Sequence, residues 1–237
     1  MKELPNPTMP LSLIDVPRGS LHRHDPETQK NAVTPQNAKG GAGLIVEWAK
    51  HQDQVREAQR LRYDVFANEM GARLKDSIPG HDIDLFDDFC EHLIIRDDVT
   101  EQVIGTYRVL TPAQAKRIGS TYSDLEFDLT RLRQYRERMV ELGRSCVHRD
   151  HRHGGVIMAL WGALAEFMVR NKLDVMIGCA SIPMLHQGVV SGEVAASIWH
   201  QLKQTHLAGV ENQVTPRLAL PVEQWEVNDA FEPPALI

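Results

Sequence analysis

ELGRSCVHRDHRHGGVIMALW, residues 141–161, decides the fold. The β-rich run MVELGRSCV (139–147) leads into a basic, histidine-rich link and the pair Gly154-Gly155. Apolar residues then recur at Val156, Ile157, Leu160, Trp161, Leu164, Phe167 and Met168, a 3.6-residue period that predicts a helix to about Asn171. The stretch is therefore strand, turn, helix. Gly143 interrupts the strand pattern and predicts a bulge there. In a regular strand Glu141 and Arg144, three apart, face opposite sides. A bulge at Gly143 puts both on one face. The helix start offers unpaired backbone N–H groups and the positive end of a dipole, and glycines let another group come close. Such a turn suits a phosphate or a pantetheine arm; the plainer reading is a helix entry with convenient glycines.

Working outward, LIVEW (44–48) reads as a strand and residues 52–68 as a helix, with Val55, Ala58, Leu61, Val65 and Phe66 on its apolar face. HLIIR (92–96) and QVIGTYRVL (102–110) form a predicted antiparallel hairpin, with Val103, Gly105, Tyr107 and Val109 on one face. DVMIGCA (174–180) reads as a buried strand and residues 192–206 as a last helix. This order is an α/β fold with a mixed, largely antiparallel sheet flanked by helices, in a single domain spanning 43–206. Residues 1–42 hold six of the 13 prolines and read as a flexible N-terminal tail. His22, His24 and Asp25 within it fall short of the about four ligands of a structural metal site. Residues 207–237 carry five acids and one arginine, an acidic C-terminal extension.

The 237 residues carry Lys+Arg 26 and Asp+Glu 32, a net charge of -6, with 42% hydrophobic and 24% charged residues. This is ordinary soluble composition and argues against a nucleic-acid binder. No apolar run approaches the roughly 18 residues of a membrane span, and the first twenty residues hold no secretory apolar stretch. Cys90, Cys146 and Cys179 show no CxxC spacing, which fits a reducing cytoplasm. Charge is uneven along the chain. Residues 69–101 balance at -7, and residues 131–152, with seven arginines, at +4.

Several spaced segments occur in one order: RYDVFANEMG (62–71), HDIDLFDDFCEHLII (81–95), IGTYRVL (104–110), FDLTRL (127–132), VELGRSCVHRDHR (140–152) and GCAS (178–181). Together they resemble the ornithine N-acyltransferase family of the GNAT superfamily, whose members make lyso-ornithine lipid. The sister group is the acyl-homoserine-lactone synthases. The resemblance implies a GNAT-like fold and a site around Arg62, Phe66, Asp84, Asp87, Arg108, Glu141 and Arg144. The synthases usually carry a Trp soon after the Phe; here the neighbourhood reads ANEMG, which disfavours that branch. The acyl-donor turn of the superfamily, Arg/Gln-x-x-Gly-x-Gly/Ala, matches at Arg152 and Gly155, beside Gly154, but ends on Ile157. That departure suits the single phosphate of an acyl carrier protein's pantetheine arm.

The resemblance implies an N-acyltransferase moving a 3-hydroxyacyl chain from acyl carrier protein to the α-amine of L-ornithine, with no cofactor and no metal. Glu141 is the candidate general base, or else a strand glutamate in a salt bridge. Arg144 holds the amino-acid carboxylate or orients Glu141, or forms a structural ion pair. Asp84, Asp87 and Asp88 bind a side-chain ammonium, form a solvated acidic loop, or hold a divalent metal. A Cys146–His148 nucleophile lacks an orienting third group. His148, His151 and His153, among arginines, read as anion-binding rather than metal-binding. Arg131, Arg133, Arg136 and Arg149 are the candidate docking surface for an acidic carrier protein. The rival activities are a lactone synthase, a CoA-dependent acetyltransferase, and a non-catalytic hemolysin-like protein that binds a membrane or partner. The expected location is the cytoplasm, with peripheral contact at the inner face of the membrane.

Overall fold

The computed structural model describes residues 39–40, 43–74, 78–182, 184–186 and 189–228. The readings of residues 1–38, 41 and 42 lie outside the described residues. The strands in chain order are β1 (Lys39–Gly40), β2 (Leu44–Trp48), β3 (Glu91–Asp97), β4 (Val103–Leu110), β5 (Phe127–Asp128), β6 (Met139–Val147), β7 (Val175–Ile177), β8 (Leu185–His186), β9 (Val189–Val190) and β10 (Thr215–Pro216). The helices are α1 (Gln52–Tyr63), α2 (Pro112–Ile118), α3 (Ser123–Glu126), α4 (Gly155–Arg170) and α5 (Glu193–His206).

Six strands form one sheet in the order β1-β2-β3-β4-β6-β7. Every neighbouring pair is antiparallel except β6 and β7. That pair is parallel because α4 carries the chain back across the sheet between them. Lys39 and Gly40, assigned to the tail by composition, pair with Ile45 and Leu44.

The two faces of the sheet are covered by different helices. Val156, Leu160, Leu164 and Phe167 of α4 pack on Leu93, Ile95, Tyr107, Val109 and Val140, all buried. On the opposite face, Leu61 of α1 and Val65 pack on Cys146. The buried stripe of α1 is wider than its apolar one: Gln59 and Arg62 are as buried as Ala58. The predicted helix over 52–68 divides. Beyond Tyr63 the chain winds as a π-helical turn, Asp64–Glu69, and Met70 N–H donates to the Val65 carbonyl, five residues back.

Three expectations are corrected by the sheet. Val103 does not share a face with Gly105, Tyr107 and Val109. Ile95 pairs with Gly105 and Arg96 with Val103, so Ile104 is an extra residue that turns Val103 toward α1. The strand over 174–180 is shorter, Val175–Ile177, and it lies at the sheet edge with Met176 42% exposed. The bulge in β6 sits one residue beyond Gly143. Gly143 pairs with Arg108 and Cys146 with Thr106, leaving Arg144 and Ser145 opposite Tyr107. Arg144, not a glycine, takes the left-handed conformation, at φ 51.

The segment after α5 returns to the body of the fold. β10 pairs with β5, Arg217 N–H donates to the Glu126 carbonyl, and Arg217 Nε donates to the Asp124 carbonyl at 2.7 Å.

Candidate functional site

Glu141, Gly143 and Arg144 of β6 open onto a small cavity. Its other walls are Phe86, Cys90, Arg108, Leu110, Tyr122, Leu142 and Cys179. Pairing of β6 with β7 stops at Glu141 and Ile177, so the cavity lies where these strands end their contact.

Glu141 is buried, and its position is fixed from α3. Oε1 accepts the Ser123 N–H at 2.6 Å and Oε2 accepts the Tyr122 N–H at 2.7 Å. The segment that supplies these amides is itself pinned. Asp124 accepts from Thr121 N–H and Thr121 Oγ1, and it pairs with Arg136. Each oxygen of Glu141 keeps a second lone pair.

Arg144 belongs to a closed ring of alternating charges. Asp82 Oδ2 accepts from Arg62 Nε at 2.9 Å and from Arg144 Nε at 3.0 Å. Arg62 Nη2 reaches Asp87 Oδ2 at 2.8 Å, and Asp87 Oδ1 lies 3.1 Å from Arg108 Nη1. Arg108 Nη1 then meets Asp84 Oδ1 at 2.5 Å, and Asp84 Oδ2 lies 3.1 Å from Arg144 Nη2. That last contact is an ion pair off the hydrogen-bond axis, since Asp84 Oδ2 has no hydrogen-bond partner. Three arginines and three aspartates cancel, as buried charges must.

Burial alone would push the Asp87 carboxyl up; the Arg62 and Arg108 guanidinium charges overrule it and hold it well below the usual range. Burial would lower the Arg108 guanidinium, and Asp87 and Asp84 instead hold it above its ordinary value. Burial pushes the His92 imidazole down, only partly offset by Asp87, so His92 stays neutral and its Nε2 donates to the Asp87 carbonyl at 3.0 Å.

The predicted site residues therefore separate into groups. Glu141, Arg144 and Arg108 line the cavity. Arg62 and Asp87 stand behind it, almost wholly buried, as members of the ring. Asp84 is half-buried between Arg108 and Arg144, and Asp88 is exposed. The solvated-loop reading fails for Asp84 and Asp87, whose carboxylates are taken up by arginines. Phe66 lies elsewhere, packed against the Leu61–Val65–Cys146 cluster.

At the glycine turn, Gly154 caps α4 with φ +99 and Gly155 is the first helical residue. Arg152 makes three hydrogen bonds there. Nε donates to the Val147 carbonyl, and Nη1 and Nη2 hold Glu69 at 2.5 and 2.9 Å. Burial pushes the Cys146 and Cys90 thiols up to about 12, which removes a Cys146 nucleophile. His148, His151 and His153 stand in a row, with ring centroids 5.8 and 6.1 Å apart. Among the described residues no cluster of three His, Cys, Asp or Glu is placed to hold a metal. Among the same residues no helix is long and apolar enough to cross a membrane.

The sequence reading missed Asp82, Phe86, Tyr122, Cys90 and Cys179. For Asp82 a signal existed in the alternation Asp82-x-Asp84, which places both acids on one side of an extended loop. Phe86 and Tyr122 meet edge to face at 6.1 Å, and the Arg144 guanidinium lies 5.6 Å from the Tyr122 ring centre.

Residues 61–162 match the family profile described as "Acetyltransferase (GNAT) domain". Among curated proteins, the chain is 39% identical over 140 residues to the L-ornithine N(alpha)-acyltransferase of Rhodobacter capsulatus, covering 56% of this chain and 54% of that one. It is 36% identical over 156 residues to the protein of the same name from Brucella abortus, covering 60% and 56%. The chain thus spans about half the length of the curated relatives it matches. Among solved structures, the acyl-homoserine-lactone synthase LasI aligns with 19% identity and a TM-score of 0.44, over 58% of this chain and 72% of that one. The acetyltransferase (GNAT) match runs from the last turn of α1 to the middle of α4, and so takes in the whole arginine–aspartate ring, Glu141 and the glycine turn.

Proposed function

We propose that this protein is an N-acyltransferase that moves a 3-hydroxyacyl chain from acyl carrier protein to the α-amine of L-ornithine. The observation that carries this reading is the meeting of Glu141 and Arg144 in one cavity. A buried carboxylate and a guanidinium side by side match the ammonium and carboxylate of an α-amino acid. The relatives named L-ornithine N(alpha)-acyltransferase support ornithine as that amino acid.

In this reading Arg144 holds the α-carboxylate. Glu141 takes a proton from the α-ammonium, directly or through a water. The freed amine attacks the thioester carbonyl. Backbone N–H groups of β6 beside the cavity steady the oxyanion. Collapse of the tetrahedral intermediate breaks the C–S bond, and the attached nitrogen sheds its second proton as the amide forms; the released pantetheine thiolate takes up that proton. Arg152, Gly154 and Gly155 receive the phosphate of the pantetheine arm. Arg62, Asp84, Asp87 and Arg108 act on the acceptor through the ring. The protein works at the cytoplasmic face of the membrane that receives its product.

The test is direct. Purified protein is given 3-hydroxyacyl carrier protein or 3-hydroxyacyl-CoA, each with L-ornithine or S-adenosylmethionine, and the products are identified by mass spectrometry. N-acylornithine formed preferentially from the carrier protein is the expected result. A lactone from S-adenosylmethionine, or no amide with any amine, rejects the proposal.

A further inference from the structure

We infer that Asp82 is a positioning residue that sets Arg144 for the carboxylate of the acceptor; this rests on the acyltransferase reading above. Asp82 is 2% exposed and does not line the cavity. One of its carboxylate oxygens, Oδ2, is shared by two guanidinium groups, Arg62 at 2.9 Å and Arg144 at 3.0 Å. Its place is set by the backbone as well. Asp82 N–H donates to the Gln59 carbonyl, and the Asp82 carbonyl accepts from Arg62 Nη2. The chain of support runs from α1 through Arg62 and Asp82 to Arg144.

Arg144 needs that support. It sits in a left-handed conformation at a bulge, a placement unfavourable for a residue with a Cβ. Its guanidinium is fixed at two nitrogens: Nε on Asp82 and Nη2 beside Asp84. Nη1 makes neither a hydrogen bond nor an ion pair among the described residues, and Arg144 lines the cavity, so Nη1 is the nitrogen left for a ligand. A planar guanidinium held at two corners presents the third in one direction. The ring is charge-neutral, so it attracts no ion by net charge. Selection of a carboxylate then depends on how Arg144 is aimed, and Asp82 does the aiming.

The consequence is selectivity between L-ornithine and putrescine, which is the same diamine without the carboxylate. The wild-type protein should prefer ornithine. Asp82→Asn keeps the size of the side chain and weakens its hold on Arg144. The variant's KM for L-ornithine should rise about 10–100-fold, the worth of one charge-assisted hydrogen bond. Its KM for the acyl donor and its rate with putrescine should stay near wild type. Equilibrium binding of the two amines, by calorimetry without donor, should lose the same preference. A purely structural role would lower activity with both amines alike, and that outcome overturns the inference. So does a wild-type protein that binds both amines equally. Failure of the wild type to acylate any amine rejects the acyltransferase reading, while the binding comparison still decides the role of Asp82. If Asp82→Asn does not fold, Arg144→Lys leaves the Asp82–Arg62 pair intact and must show the same loss of preference; retained preference there overturns the inference.

Discussion

Glu141 and Arg144, three residues apart on one strand, face the same cavity because Arg144 turns left-handed at the bulge. Glu141 is held there by the backbone N–H groups of Tyr122 and Ser123 at the start of α3. Glu141→Gln should slow amide formation by about 10²–10⁴-fold. The swap is not silent for the fold, although the two side chains are nearly isosteric. A glutamine offers one acceptor oxygen and would turn its NH2 toward a backbone N–H, costing about 1–3 kcal/mol. Turnover should therefore be measured well below the lowered melting temperature. Near wild-type turnover across several pH values would remove Glu141 from the mechanism.

The basic run 131–152 predicts a docking surface, but the structure divides it. Arg131, Arg133 and Arg136 precede β6 and Arg149 follows it, so a nine-residue strand separates them, about 30 Å end to end. Arg136 is paired with Asp124 and Arg131 with the Val210 carbonyl. Arg149 is largely exposed and lies at the same end as the glycine turn. Arg149→Glu should raise KM for an acyl carrier protein several-fold, more so at low salt, and spare a short pantetheine thioester. Arg133→Glu should change neither. Equal losses with both donors would show that Arg149 serves the site rather than docking.

Asp87 couples the ring to pH. Its folded pKa is depressed, so the stability it contributes is present above the unfolded value of about 4 and is lost as pH falls below it. Asp87→Asn leaves Arg62 and Arg108 short of a buried partner and should cost about 3–5 kcal/mol at pH 7. Urea unfolding between pH 7 and pH 3 checks both points. The wild type should lose its advantage over the variant as the pH drops below 4; a constant difference would contradict the assignment.

Gly105 is required by packing. A Cβ added there would lie 2.5 Å from Val156 Cγ1 on α4. Valine is stiff and cannot swing aside cheaply. Gly105→Ala should therefore destabilise by about 1–3 kcal/mol. Adding Val156→Ala should recover part of that loss in a thermal melt, which a remote effect would not.

Much of the fold was legible in residues 141–161, because a strand, a glycine turn and a 3.6-residue period each leave a local trace. The mixed sheet, the hairpin and the helix after Gly155 all follow from such patterns. The site was legible in part. Motif order pointed to Arg62, Asp84, Asp87, Arg108, Glu141 and Arg144, yet not to what they do. Whether an aspartate in HDIDLFDDF is solvated or buried depends on arginines up to 62 residues away, as with Asp82 and Arg144. Local pattern carries no such information. Gly143 drew the bulge prediction because glycine tolerates the left-handed region. Arg144 takes that conformation instead, since ion pairs to Asp82 and Asp84 offset the strain.

The pairing of β10 with β5 has a temporal side. A chain emerging from the ribosome can close its main sheet once β7 has been made, because β1 to β7 supply every strand of it. The segment 121–124 that holds Glu141 is different. Its backing, the Arg217 bonds to Asp124 and Glu126, is complete only after α5 and the segment beyond it have appeared. During synthesis the sheet can therefore be built before the corner that holds Glu141 is braced.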